Sequence, residues 1–149
     1  MPYTILSGTG EFTVNVWLKA NTHSIGTVFG NYPAGNLEVF YGTSYIGMWL
    51  NNNSTYLDSP GSEFTTNPVL LTTLRRSNNS TEAYLNGISK KVGSSSSTIG
   101  NVNNFRIGTN TNDIERYVGS VYTVQIYNRA LSAAEISQNY NALRGRFGL

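Results

Sequence analysis

Apolar and polar residues alternate along most of this chain, and the alternation sets the elements it predicts. The clearest stretch runs from Val118 to Tyr127. Val118, Ser120, Tyr122, Val124 and Ile126 fall on one face, and Gly119, Val121, Thr123, Gln125 and Tyr127 on the other. A period of two, rich in β-branched and aromatic side chains, predicts a long strand. The period then changes. Ser132-Ala133-Ala134-Glu135 has the form of a capping box, in which the hydroxyl and the carboxylate take each other's backbone amides. Ile136, Tyr140 and Leu143 follow at helical spacing and predict one apolar stripe on a short helix. Gly145 is placed to end it, with Arg144 and Arg146 at the negative end of its dipole.

Earlier segments repeat the two-residue period. Tyr3 to Leu6 predicts a short first strand, and Phe12, Val14, Val16 and Leu18, alternating with Thr13, Asn15 and Trp17, predict a second. Ile25 to Phe29 follows, then a turn-rich loop from Gly30 to Asn36. Leu37 to Tyr41 and Tyr45 to Leu50 read as an antiparallel pair around Gly42-Thr43-Ser44. In the latter strand Ile46, Met48 and Leu50 share one face and Tyr45, Gly47 and Trp49 the other; one face meets the core and the other is open. Thr55 to Leu57 is a brief strand. Pro68 to Arg76, Thr81 to Leu85 and Ile88 to Val92 form a meander, and Asn86-Gly87 is the strongest hairpin signal in the chain, since a type I′ turn needs positive φ at both positions. Gly93 to Ser97 reads as a flexible polar loop, and Phe105 to Gly108 as one more short strand.

The terminal segment carries a resemblance. Gly119-Ser120-Val121-Tyr122-Thr123-Val124-Gln125-Ile126-Tyr127-Asn128-Arg129-Ala130-Leu131-Ser132-Ala133-Ala134-Glu135-Ile136 resembles the closing strand and helix of laminin-G-like, concanavalin A-like jelly rolls. Tyr84-Leu85-Asn86-Gly87 is similar to that family's central hairpin, and Phe12-Thr13-Val14-Asn15-Val16-Trp17 to a strand near its start. The resemblance implies an all-β, antiparallel β-sandwich with one short C-terminal helix, as a single domain over residues 1–149. It implies little about activity, because many functions sit on this scaffold.

Composition narrows the classes. Charged residues are 12% of the chain, about half the usual share, so the polar surface is built from Asn, Ser, Thr and Gly. A net charge of +2, with only Arg75-Arg76 and Lys90-Lys91 adjacent, gives no basic stripe for nucleic acid; both pairs are expected at exposed strand ends. No apolar run approaches the roughly 18 residues that span a bilayer. The chain has no cysteine, so disulfides and thiolate metal sites are absent, in contrast to many extracellular laminin-G modules. With Met1 read as a natural start, the N-terminus also lacks the features of a signal peptide. Together these point to a microbial or viral chain made inside a cell.

The candidate chemistry is binding rather than catalysis. Glucanases on this fold carry an E-x-D-x-x-E strand, and their two carboxyls stand about 5–9 Å apart; that motif is missing here. Asp113 and Glu115 are two apart, yet nothing in the spacing brings either to Glu82 or Glu38. The chain is read as no enzyme and as needing no cofactor. Calcium is the one ion the family pattern allows, with Asn112, Asp113 and Asp58 as oxygen donors, though Asn and Asp also dominate turns for their own reasons. Ten tyrosines and two tryptophans suggest flat rings for the apolar face of a sugar. Tyr45, Trp49, Tyr56, Asp58 and Tyr84 are the glycan-binding candidates; the alternative places these rings in the core or a subunit interface.

Two functions follow. In the first the chain is a non-catalytic virion structural protein, a phage capsid decoration or fibre-associated module. It would sit on the particle surface against other virion proteins or copies of itself, through an edge strand or its C-terminal tail, with host or environmental glycans as further ligands. In the second it is a carbohydrate-binding module cut from a larger secreted, extracellular protein.

Overall fold

The computed structural model describes Leu6 and residues 8–33, 35–51, 53–100 and 104–149. Ten strands and one helix follow in chain order: β1 (Phe12–Ala20), β2 (Thr27–Gly30), β3 (Leu37–Tyr41), β4 (Tyr45–Leu50), β5 (Asn53–Asp58), β6 (Val69–Arg75), β7 (Ser80–Leu85), β8 (Ile88–Ser94), β9 (Arg106–Ile107), β10 (Gly119–Tyr127) and α1 (Ala133–Arg144). They form two five-stranded antiparallel sheets, ordered β10-β1-β6-β7-β8 and β5-β4-β3-β2-β9. The expected strand from Tyr3 lies outside the described residues, except Leu6, which is buried in the core.

Alternation decides which face of each strand is covered. Val14, Val16 and Leu18 of β1 meet Leu37, Val39 and Tyr41 of β3 and Ile46, Met48 and Leu50 of β4 between the sheets. The opposite face of the first sheet is roofed by the C-terminal helix. There Leu74, Tyr84, Leu131 and Ile136 make a second small core. Ser132 caps α1 as a capping box, its hydroxyl accepting from the Glu135 amide and the Glu135 carboxylate accepting from the Ser132 amide. Arg129 holds that carboxylate first, the Ser132 amide and hydroxyl add to it, and its pKa falls to about 2.

Four expectations change. The period of β10 is broken at Tyr122: Trp17 pairs with Thr123 and Leu18 with Val121, so Tyr122 is a bulge. Val121, Val124 and Ile126 therefore pack against the core together, although strict alternation puts Val121 on the other face. Gly145 ends α1 as expected, but the chain does not leave the helical conformation there: Gly145 keeps φ −63°, a 3-10 turn runs from Gly145 to Phe147, and the backbone turns left-handed at Gly148, φ +73°. Arg75 is not an exposed strand end but fully buried. Finally, the serine-rich segment is tied down. The Ser95 amide donates to the Asn79 carbonyl at 2.9 Å, the Ser97 hydroxyl to the Asn51 carbonyl at 3.2 Å, and Arg75 donates to the Ser97 carbonyl at 2.6 Å.

The Asn86-Gly87 turn takes φ values of +52° and +80°, as a type I′ hairpin requires. No helix among the described residues is long and apolar enough to cross a membrane.

Candidate functional site

The helix covers one outer face of the sandwich. The other, on β2 to β5, is open, and its rows follow from register. Glu38 of β3 stands opposite Trp49 of β4, which stands opposite Ser54 of β5. In the next row Phe40 faces Gly47, and Gly47 faces Tyr56; beyond it Tyr45 faces Asp58. Large rings thus flank a position with no side chain. A Cβ on Gly47 would lie 2.4 Å from the Thr55 carbonyl oxygen and 2.6 Å from Tyr56 Cα, and its φ is +139°. Only glycine fits there.

The result is an open groove of about 270 Å³ lined by Ile25, Tyr32, Glu38, Phe40, Tyr45, Trp49, Tyr56 and Glu115. Its rings brace one another. Tyr32 meets Trp49 edge-on at 4.6 Å, and Tyr45 meets Tyr56 at 4.6 Å. Tyr32 is presented by a loop closed onto β3, where the Asn31 amide donates to the Leu37 carbonyl and the Asn31 side chain accepts from the Leu37 amide.

Two acids close one end. Glu38 is 2% exposed and accepts from the Thr27 hydroxyl. The Thr27 amide donates to the Glu115 carbonyl at 2.8 Å, so one residue fixes both acids. Glu115 holds φ +54°, an uncommon conformation for this residue type, and the Asn110 side-chain amide donates to its carboxylate at 3.3 Å. Burial pushes the Glu38 carboxyl up to about 7; the Thr27 hydroxyl opposes this, and the neighbouring Glu115 charge adds to it. Both acids line the same groove.

Of the sequence candidates, Tyr45, Trp49 and Tyr56 come together in this groove. Asp58 lies at its margin, exposed beside Tyr45, and does not line it. Tyr84 belongs elsewhere: it is in the other sheet, 4% exposed, beneath the helix. Asn112 and Asp113 are outside the groove as well. Asp113 is ion-paired with Arg116 at 2.5 Å, and no cluster of three or more His, Cys, Asp or Glu occurs among the described residues. Tyr32, Phe40, Glu38 and Glu115 were not singled out by the sequence. Alternation from Trp49 across the β3–β4 hairpin was the available signal for Glu38 and Phe40; Glu115 had none.

The sandwich and its register agree with an independent comparison. Residues 1–137 match the family model described as the concanavalin A-like lectin/glucanases superfamily. The chain belongs to this superfamily. No curated protein sequence matches it. Among solved structures it is similar to a protein from Bacteroides ovatus ATCC 8483 described as a candidate carbohydrate binder (TM-score 0.72, 14% identity, 88% of this chain and 41% of that one). It is also similar to the receptor binding domain of botulinum neurotoxin mosaic serotype C/D (TM-score 0.70, 16% identity, 89% and 36%). A third is the NanB sialidase of Streptococcus pneumoniae (TM-score 0.68, 22% identity, 89% and 24%). The chain thus spans less than half the length of each of these structures. At such identities the likeness is one of fold.

Proposed function

We propose that this member of the superfamily is a non-catalytic saccharide-binding module, and that its sugar lies in the β2–β5 groove. The observation that carries this reading is the ring pair Tyr45–Tyr56 and the braced Trp49 around the Gly47 notch. Flat aromatic faces meet the apolar face of a pyranose, and the Glu38 and Glu115 carboxyls in the same groove are acceptors for its hydroxyls. The superfamily includes lectins, and one structural neighbour is described as binding carbohydrate, which supports the same class.

The test is a broad glycan array, with calcium and with EDTA, run beside Trp49→Ala. A specific hit lost in the variant is the expected result. A blank array with folded protein overturns the reading.

A particle-surface role is a second proposal. It is favoured by β10, nine residues long and at the end of its sheet, with Val118 46% and Tyr122 44% exposed. Such an edge can pair with another chain. Mass spectrometry of purified virions tests it, and absence of the chain from them sinks it.

A further inference from the structure

The groove is aromatic, but it is also acidic and lacks any basic lining residue. We propose that its natural occupant is a cationic saccharide, one bearing a free amino group, and that it turns away acidic sugars. This inference rests on the saccharide reading and names the class of sugar.

Charge bookkeeping points the same way. Four acids hold ion pairs: Glu63 with Lys90, Glu82 with Arg76, Asp113 with Arg116 and Glu135 with Arg129. Glu38 and Glu115 hold none among the described residues. Two arginines stand opposite β2 and are engaged: Arg106, paired with Gly30, donates to the Asn110 carbonyl at 3.5 Å, and Arg116, paired with Thr27, is held by Asp113. The whole chain carries +2, so the negative character of the groove is local.

Two carboxyls that line one groove, one of them 2% exposed, repel each other when both are ionised. In the free protein a proton on Glu38 relieves this; burial chiefly, and the Glu115 charge in addition, raise the affinity of Glu38 for it. An ammonium group delivers the same relief and leaves both carboxylates ionised: the protonated pair and R–NH3+ give the carboxylate–ammonium contact and one released proton. The rings add to it. A cation beside Tyr32, Phe40, Tyr45, Trp49 and Tyr56 is attracted by their electron-rich faces. A sugar carboxylate in that position faces two acids and no base. The left-handed backbone of Glu115, φ +54°, holds this acid at the groove wall.

The experiment is calorimetric titration at about pH 6.5 with two oligosaccharides of one backbone, the β-1,4-linked hexamers of glucosamine and of N-acetylglucosamine. The amino hexamer is expected to bind about 10-fold tighter or more. That preference is expected to disappear in Glu115→Gln, an exposed position whose change leaves the core intact, and in Glu38→Gln. Equal or tighter binding of the acetylated hexamer overturns the cationic inference and leaves the saccharide reading standing. So does an amino preference unchanged in both variants, or an array hit on neutral or sialylated glycans with both hexamers silent. Silence from both hexamers together with a blank array overturns the saccharide reading and this inference with it.

Discussion

The ring of Phe147 stacks on that of Trp17, with centroids 4.5 Å apart and planes 25° from parallel. Tyr140 stacks against the same indole at 5.8 Å, and Tyr122 meets Phe147 at 4.9 Å. The chain's last turn is therefore part of the fold. It seals the outer face of the first sheet, and Trp17 is only 1% exposed as a result. A tail so engaged is not a free arm for gripping a partner.

Phe147→Ala is expected to destabilise the protein by about 1–2 kcal/mol, from lost stacking and lost apolar burial. It also uncovers Trp17. The emission of Trp17, read in a Trp49→Phe background, is expected to shift to longer wavelength, while saccharide binding by the other face is measured in the Trp49-containing protein and stays unchanged. Unaltered emission and stability would detach the tail from the fold.

Arg75 is a clamp with no counter-ion among the described residues. Its guanidinium donates to the carbonyls of Gly8, Gly10 and Ser97 at 2.6–3.0 Å and lies 5.3 Å from the Phe12 ring centroid. Arg75→Met keeps the volume but removes the donor shared by three partly exposed carbonyls, and is expected to cost about 2 kcal/mol by urea unfolding. Arg75→Lys should recover only part, because an ammonium cannot span the three acceptors. A Met variant as stable as the parent would refute the clamp.

Stability should fall from pH 5 to pH 8. In the folded protein Glu38 titrates near 7, above the ordinary 4.5, so the native state holds this proton more tightly than the unfolded chain. Its contribution is complete in acid and is lost as pH rises from about 4.5 through 7, a change of about 3 kcal/mol. Denaturant unfolding across that range checks it, and Glu38→Gln should flatten the slope. A slope unchanged in the variant assigns the effect to another group.

Calcium should leave the melting temperature unchanged within about 1 °C relative to EDTA, because the Asp113 carboxylate is already engaged by Arg116. A rise of several degrees that Asp113→Asn removes would instead make the 109–116 loop a cation site.

Local elements and the class of fold are legible in the sequence. The two-residue period marked β1, β3 and β4 as strands and sorted the residues of β1 and β4 into two faces, Asn86-Gly87 fixed a hairpin, and Ser132 with Glu135 fixed the start of α1, because each of these rests on neighbours close along the chain. It also placed Tyr45 and Trp49 on one face. What it left open is long-range. The phase of β10 changed at Tyr122 because a bulge depends on how the partner strand β1 pairs, not on β10 alone. Arg75 became buried because carbonyls more than sixty residues away along the chain accept its protons. Glu38 and Glu115 lie 77 positions apart in sequence, and no spacing rule joins them. Only the pairing of β2 with β3, and the hold of Thr27 on both acids, brings them to one end of the groove. Tyr84 went beneath the helix for the same kind of reason: its strand supplied an aromatic face, and the tertiary packing of α1 decided what would cover it.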